Sequence, residues 1–275
     1  MNLREAFDFV ATLRPAWKSK AAWNAPFCYN REHALRLLGA DRNVKRITKA
    51  SLAAMRARLI KEKRSPGGIN RIISMTHTLL RDLADEEIID KAPKLKPLKE
   101  NNQRTAFFTQ EQITEMVALA RQYHHEELAD AILFGVFTGC RQAELLNLTA
   151  GDVDLANNLL TFRDTKNGED HIIDIHPDLR QLLAARVEDA GEMDPVFEFE
   201  NDDQLRRDFY KIRDELKIPT DRVWHTLRHT TGTWLAERGV PIQTIARVLN
   251  HKQVSTSQRY TKISDKARKT AINSL

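Results

Sequence analysis

The chain has 275 residues, 41% of them hydrophobic and 29% charged, enough for one large or two ordinary domains with true cores and too polar for a membrane protein. A short binding peptide and a disordered tail are both excluded. The longest apolar stretch, Ala131 to Phe137, falls far short of the roughly 20 residues a membrane helix needs. Arg4, Glu5 and Asp8 stand where a signal peptide would be continuously apolar. A cytosolic protein with no membrane partner is expected. The formal charge of +5 hides an asymmetry: residues 1–105 carry 22 Lys and Arg against 11 Asp and Glu, while the remainder carries 21 against 27. A basic first segment suits contact with a phosphate backbone, because each neutralised phosphate releases condensed counterions. A solvated basic face is the plainer alternative, and charge alone does not separate the two. Two cysteines, Cys28 and Cys140, make no disulfide framework and no Cys-x-x-Cys zinc site. Both are expected to be small buried side chains.

In chain order, four segments have helical character: Asn2 to Leu13, Asn30 to Leu38, Thr48 to Lys63 and Pro66 to Asp85, punctuated by Gly39 and by Ser65-Pro66-Gly67-Gly68. In the fourth, Ile69, Ile72, Ile73, Thr76, Leu79, Leu80 and Leu83 recur at intervals of three and four, with Arg71, His77 and Arg81 elsewhere on the wheel. This predicts a small helical bundle with a basic exterior. Lys91 to Arg104, with two prolines and five positive charges, reads as an extended linker. The division is thus a helical domain over 1–90, a linker over 91–105 and a second domain over 106–275.

Thr109 with Gln112 forms a capping box, and helical periodicity then runs to Gly139, a left-handed stop, before resuming around Arg141 to Leu146. Leu159 to Phe162 and His171 to Ile175 are strand-like and flank Thr165-Lys166-Asn167-Gly168. Asn-Gly is the strongest short hairpin signal, so Lys166 sits at or beside a hairpin tip. From Pro177 the pattern is helical again, with Leu205, Phe209, Ile212 and Leu216 on one stripe and further helices around His225 to Glu237 and Pro241 to Leu249. The fold class is mainly α with a small antiparallel β-sheet (α+β).

The polar residues that stand out are Arg141 just after the Gly-Cys stop, Lys166 on the hairpin, His225, Arg228 and His229 within one helical turn, then His251 and Tyr260. Guanidiniums with imidazoles and an ammonium make a donor-rich cationic nest that suits a phosphate in transit. Each has a duller reading as a surface or salt-bridge residue. His225 and His229, four apart, also have the spacing of a zinc-protease helix with His251 as third ligand, but Thr226 stands where that motif needs Glu.

Taken in order, Thr138-Gly139-Cys140-Arg141-Gln142-Ala143-Glu144-Leu145, His225-x-x-Arg228-His229, Leu249-Asn250-His251 and Tyr260 nine residues later resemble the tyrosine recombinases of the phage integrase type. The basic first domain resembles their helical core-binding domain. The resemblance implies that Tyr260 attacks a DNA phosphodiester, giving a 3′-phosphotyrosine and a free 5′-hydroxyl. A phenol of pKa ~10 is ionised about one part in a thousand at pH 7, so a base is needed, and His225 is that candidate. Arg141 and Arg228 would stabilise the phosphorane charge, Lys166 would protonate the departing 5′-oxygen, His251 would be a further donor and Glu144 would orient the cations. No metal or cofactor is implied. Asn250 departs from the family, which usually has Gly between this Leu and His; Asn is the best non-glycine occupant of a left-handed position. His229 stays outside the primary catalytic set, as a packing or supporting histidine.

The implied partners are double-stranded DNA carrying a recombination site and three further copies of the chain on a Holliday junction, with an excisionase or DNA-bending protein as candidate accessory. The tail, residues 261–275, would pack on a neighbouring protomer, though folding back on its own domain is equally permitted. The small arm-binding domain that many phage integrases carry before the core-binding one finds no room within these 275 residues, which fits either a simpler recombinase or a longer protein shortened at its start. Two rivals stay open: a type IB topoisomerase-like or telomere-resolvase-like enzyme, and a catalytically inactive DNA-binding regulator.

Overall fold

The computed structural model describes residues 1–14, 17, 26–100, 106–163, 165, 168–257 and 260. The end of the expected linker, Lys166 with Asn167, and the tail 261–275 lie outside the described residues. The chain divides into two compact units, Met1–Asn102 and Gln103–Leu275.

In the first unit, α1 (Leu3–Leu13) opens with a full capping box: Asn2 Oδ1 accepts the Glu5 amide and the Glu5 carboxylate accepts the Asn2 amide, each at 2.9 Å. α2 (Pro26–Leu38), a short 3-10 turn (Val44–Arg46), α3 (Lys49–Lys61) and α4 (Pro66–Asp85) follow. α4 starts with Ser65 accepting the Gly68 amide and with Pro66 in the first turn, where a missing N–H costs nothing. The apolar stripe expected on α4 is buried along its length. α2 begins four residues earlier than the periodicity predicts, because Phe27 belongs to the core, its ring packing on Phe7 and Trp17. The two cysteines differ: Cys140 is buried as expected, but Cys28 is only half-buried.

Residues 91–100 form neither helix nor strand, as a stretch with prolines at 93 and 97 should. They are not a free spacer, however. The Asn70 side chain accepts the Leu98 amide at 2.8 Å and donates to the Leu98 carbonyl at 2.9 Å and the Glu100 carboxylate at 2.6 Å, while Leu95 and Leu98 pack on the first unit's core. At the close of α1, Arg14 makes a forked ion pair with Asp82 of α4 that holds the Asp82 carboxyl below its ordinary range. A carboxyl depressed in the folded state stabilises above its unfolded pKa and loses that contribution as pH falls through the folded one. Asp82→Asn is therefore expected to lower stability by about 1 kcal/mol at pH 7, with the difference from the parent chain vanishing at acid pH in urea titrations.

The second unit runs α5 (Gln110–Gln122), α6 (Glu126–Thr138), α7 (Gln142–Leu146), β1 (Val153–Asp154), β2 (Leu159–Phe162), β3 (His171–Asp174), α8 (Pro177–Val187), α9 (Asp202–Glu215), α10 (Thr226–Glu237), α11 (Ile242–Val248) and α12 (Val254–Ser257). The sheet is antiparallel in the order β1-β2-β3, with Leu160 opposite both Val153 and Ile173. β1 is a strand that the sequence does not announce: two residues are too few to show alternation. The expected capping box of Thr109 with Gln112 is present.

α6 packs against both α5 and α10. Phe134 from α6 meets the rings of Phe162 and Phe197 edge-on inside the core. α10 is fastened to its surroundings by buried threonines. Thr231 donates to the Val136 carbonyl of α6 at 2.7 Å. Thr230 accepts the Phe108 amide at 2.9 Å, and Trp234 Nε1 donates to the Phe108 carbonyl at 3.2 Å.

Candidate active site

Two turns and one helix converge. α6 stops at Gly139, whose φ of 65° is the left-handed conformation that glycine adopts freely and where any side chain would also run into Leu249 and Thr231. Arg141 then caps α7. The Glu144 carboxylate accepts the Arg141 amide at 2.7 Å and also a guanidinium N–H, so its negative charge sits at the helix start and fixes the cation. Opposite lies the turn after α11, where Asn250 has a φ of 46°, the left-handed position the sequence predicts. Arg141 Nη2 donates to the Asn250 carbonyl at 3.2 Å.

Arg228, on the first turn of α10, is only 4% exposed. Its guanidinium donates to the Gly139 carbonyl at 2.7 Å and to the Leu249 carbonyl. Both arginines thus bear on the 249–250 turn, and each is tied to the 139–141 segment, Arg141 by its own backbone. Burial, then repulsion from Arg141, pushes the Arg228 guanidinium down to about 10, against the opposing pull of Glu144 and of Tyr260. Tyr260 joins this cluster through Leu249, on which it packs and whose carbonyl Arg228 holds. Cys140, between the two arginine anchors, has its thiol pushed up to about 12 by burial and carries no thiolate at neutral pH.

Tyr260 is 2% exposed, packed with Ile245 and Leu249. Its ring lies on Gly232 of α10, where a Cβ would penetrate it. Its hydroxyl is 3.2 Å from His229 Nδ1. His225, one turn earlier, is exposed and places its ring edge-on to that of His229 at 5.0 Å. The structure thus brings His229, which the sequence ranks as a supporting residue, to the hydroxyl, and leaves His225 one ring away. The signal is present in the spacing, since residues four apart share a helix face. His251 is half-buried with Nδ1 2.6 Å from Ser257 Oγ. Lys166 lies outside the described residues, and its neighbour Thr165 is buried beside the Asn250 turn. An open cleft of about 870 Å³ borders Arg141, Glu144, Arg163 and Thr165.

The other three tyrosines of the chain have structural partners: Tyr123 donates to Glu215, Tyr29 pairs with Arg64, and Tyr210 packs beside Phe209 under the Arg213 guanidinium. Among the described residues no three His, Cys, Asp or Glu side chains gather as a metal site would.

The family model described as "Phage integrase family" matches residues 106–267, more than half of the chain. The chain belongs to the phage integrase family. Among curated relatives, the chain is 35% identical over 124 residues to tyrosine recombinase XerA of Saccharolobus solfataricus, an alignment covering 45% of this chain and 42% of that one. It is 28% identical over 225 residues to XerA of Thermococcus kodakarensis, covering 75% and 76%. Among solved structures, the Tn1549 transposon integrase in complex with transposon right end DNA superposes with a TM-score of 0.77 at 16% identity over 100% of this chain and 99% of that one. A lambda integrase dimer bound to a core site gives 0.77 at 17% identity, covering 96% and 97%. At such identities the structural likeness shows a shared fold alone, mainly helical with a small antiparallel sheet.

Proposed function

We propose that this chain is a site-specific DNA recombinase that cleaves and rejoins strands through Tyr260. The observation that carries the reading is the convergence of Tyr260, His229, Arg228 and Arg141 around two turns, a nucleophile set among fixed cationic donors. The phenolic oxygen attacks phosphorus and the bond to the 5′-oxygen breaks, leaving a 3′-phosphotyrosine and a 5′-hydroxyl. The phenolic proton passes to the His225/His229 pair, of which His229 is the ring within reach of the hydroxyl. Arg141 and Arg228 hold the non-bridging oxygens as charge builds, with Glu144 fixing Arg141 and His251 adding a donor. Lys166 supplies the proton to the departing 5′-oxygen. Because the phosphodiester energy is kept in the tyrosyl ester, rejoining needs no nucleotide.

The basic first unit would bind the duplex beside the scissile phosphate, four copies would assemble on paired sites, and exchange would pass through a Holliday junction. The solved lambda integrase tetramer bound to a Holliday junction, a TM-score of 0.76 at 18% identity over 94% of this chain and 77% of that one, supports this assembly. No described helix is long and apolar enough to cross a membrane, and the enzyme would work on DNA in the cytoplasm.

The test is a nicked duplex that loses its short 5′-hydroxyl strand after cleavage, carried into a denaturing gel and then peptide mapping. The expected result is a covalent adduct on Tyr260, with product exchange between two marked sites. Supercoil relaxation without site dependence would favour the topoisomerase rival, and no adduct at all would favour the inactive regulator.

The depressed Arg228 ionisation gives a pH prediction. A cation whose pKa falls to about 10 is fully charged at neutral pH and lost as pH rises through that value, earlier than an ordinary guanidinium. Single-turnover cleavage should show no Arg228 contribution to its pH dependence between pH 7 and 9 and should fall as pH approaches 10.5, with circular dichroism reporting an intact fold. Stability has the opposite sign: burying the charged form is a cost below pH 10 that fades between there and the unfolded value.

A further inference from the structure

Asn250 does more than tolerate a left-handed turn. Its carbonyl receives Arg141 Nη2 at 3.2 Å, and its side-chain Nδ2 donates to Thr165 Oγ1 at 3.2 Å. Thr165 is 4% exposed and stands at the base of the β2–β3 hairpin, where its Oγ1 also donates to the Glu169 carbonyl at 2.7 Å and its carbonyl accepts the Gly168 amide at 2.7 Å. Thr165 is thus the point at which the hairpin closes on itself, and Lys166 is the next residue in the chain. A glycine at 250 would satisfy the backbone equally, but it would leave the hairpin base without this tie to the arginine turn.

We infer that Asn250 is a positioning residue whose amide ties Thr165, at the base of the β2–β3 hairpin whose sequence carries Lys166, to the turn that holds Arg141 and His251. The inference rests on the proposed role of Lys166 as the acid that protonates the departing 5′-oxygen. Its chemistry predicts a selective defect. Loss of the amide loosens proton delivery to the leaving group, while the nucleophile, tied to α10 by His229, and the two arginines keep their places. A leaving group that needs no proton should hide the defect. Sulfur in place of the bridging 5′-oxygen departs as a thiolate, since a thiol has a pKa near ~8.5 and an alcohol one far higher.

The experiment compares Asn250→Gly, Thr165→Val and Lys166→Ala with the parent chain on two nicked duplexes, one with the ordinary 5′-oxygen and one with 5′-sulfur at the scissile phosphate. Lys166→Ala should lose on the order of 10²-fold or more on oxygen and recover on sulfur. Asn250→Gly should lose about 10-fold on oxygen, the weight of one well-placed hydrogen bond, and match the parent chain on sulfur, with an unchanged thermal midpoint. Thr165→Val should reproduce that pattern and serves as the second probe if Asn250→Gly folds poorly. An equal loss on both substrates, or none on oxygen, overturns the role of Asn250 while a rescued Lys166→Ala leaves the acid assignment standing. Failure of sulfur to rescue Lys166→Ala overturns the acid assignment, and the inference with it.

Discussion

Tyr260→Phe is expected to abolish covalent adduct formation on a nicked duplex while leaving the affinity for that duplex within about twofold. The substitution removes the hydroxyl alone, and its oxygen is the atom that would attack. Affinity should persist because duplex binding of this kind would be spread over many phosphate contacts, most of them independent of the hydroxyl. The ring keeps its seat on Gly232 among Ile245 and Leu249, and the hydrogen bond to His229 that disappears is worth about 1 kcal/mol. A denaturing gel of labelled duplex reads the adduct and a titration read by fluorescence anisotropy reads the affinity. An adduct surviving in the variant would move the nucleophile elsewhere in the chain.

Arg228→Ala should lower single-turnover cleavage by about 10² to 10³, the range found on removing one fixed donor to a developing oxyanion, with binding reduced far less. It should also destabilise the protein, unlike a surface arginine. The guanidinium donates to the carbonyls of Gly139 and Leu249, and its removal leaves both without that donor inside the structure. Release of a buried cation offsets part of the loss, leaving a net of about 2 kcal/mol, or about 4–8 °C in midpoint for a unit of this size. Arg228→Lys separates the two effects. It restores one charge but not the planar fork that spans two carbonyls and would reach the phosphate, so cleavage should stay well below that of the parent chain. A variant that cleaved normally after losing several degrees of stability would reduce Arg228 to a structural strut.

Features written in neighbouring residues are legible in the sequence. The Thr109–Gln112 box, the left-handed stop at Gly139, the apolar stripe of α4 and the two longer strands each depend on side chains within a few positions of one another. What escapes depends on residues far apart in sequence or on pieces too short to have a period. β1 is two residues long. The hold of Asn70 on Leu98 and Glu100 spans about 30 positions, so the proline-rich stretch reads as free when it is partly docked. The site divides in the same way. The arginines, histidines and tyrosine are recognisable by type and order. Which histidine meets the phenol depends on where α10 and the chain after α12 come together, and no local pattern carries that information.

The double clamp on Phe108 decides where the second unit may be cut. Its amide and carbonyl are both held by α10, through Thr230 and Trp234, and its ring is fully buried, edge-on against Phe209. The stretch of chain leading into α5 is therefore a girder of α10 and no part of a disposable hinge. An isolated fragment beginning at Ala106 retains this brace, whereas one trimmed to Thr109 takes away both anchors and an aromatic wedge, leaving the helix that bears Arg228 and His229 unsupported along that flank.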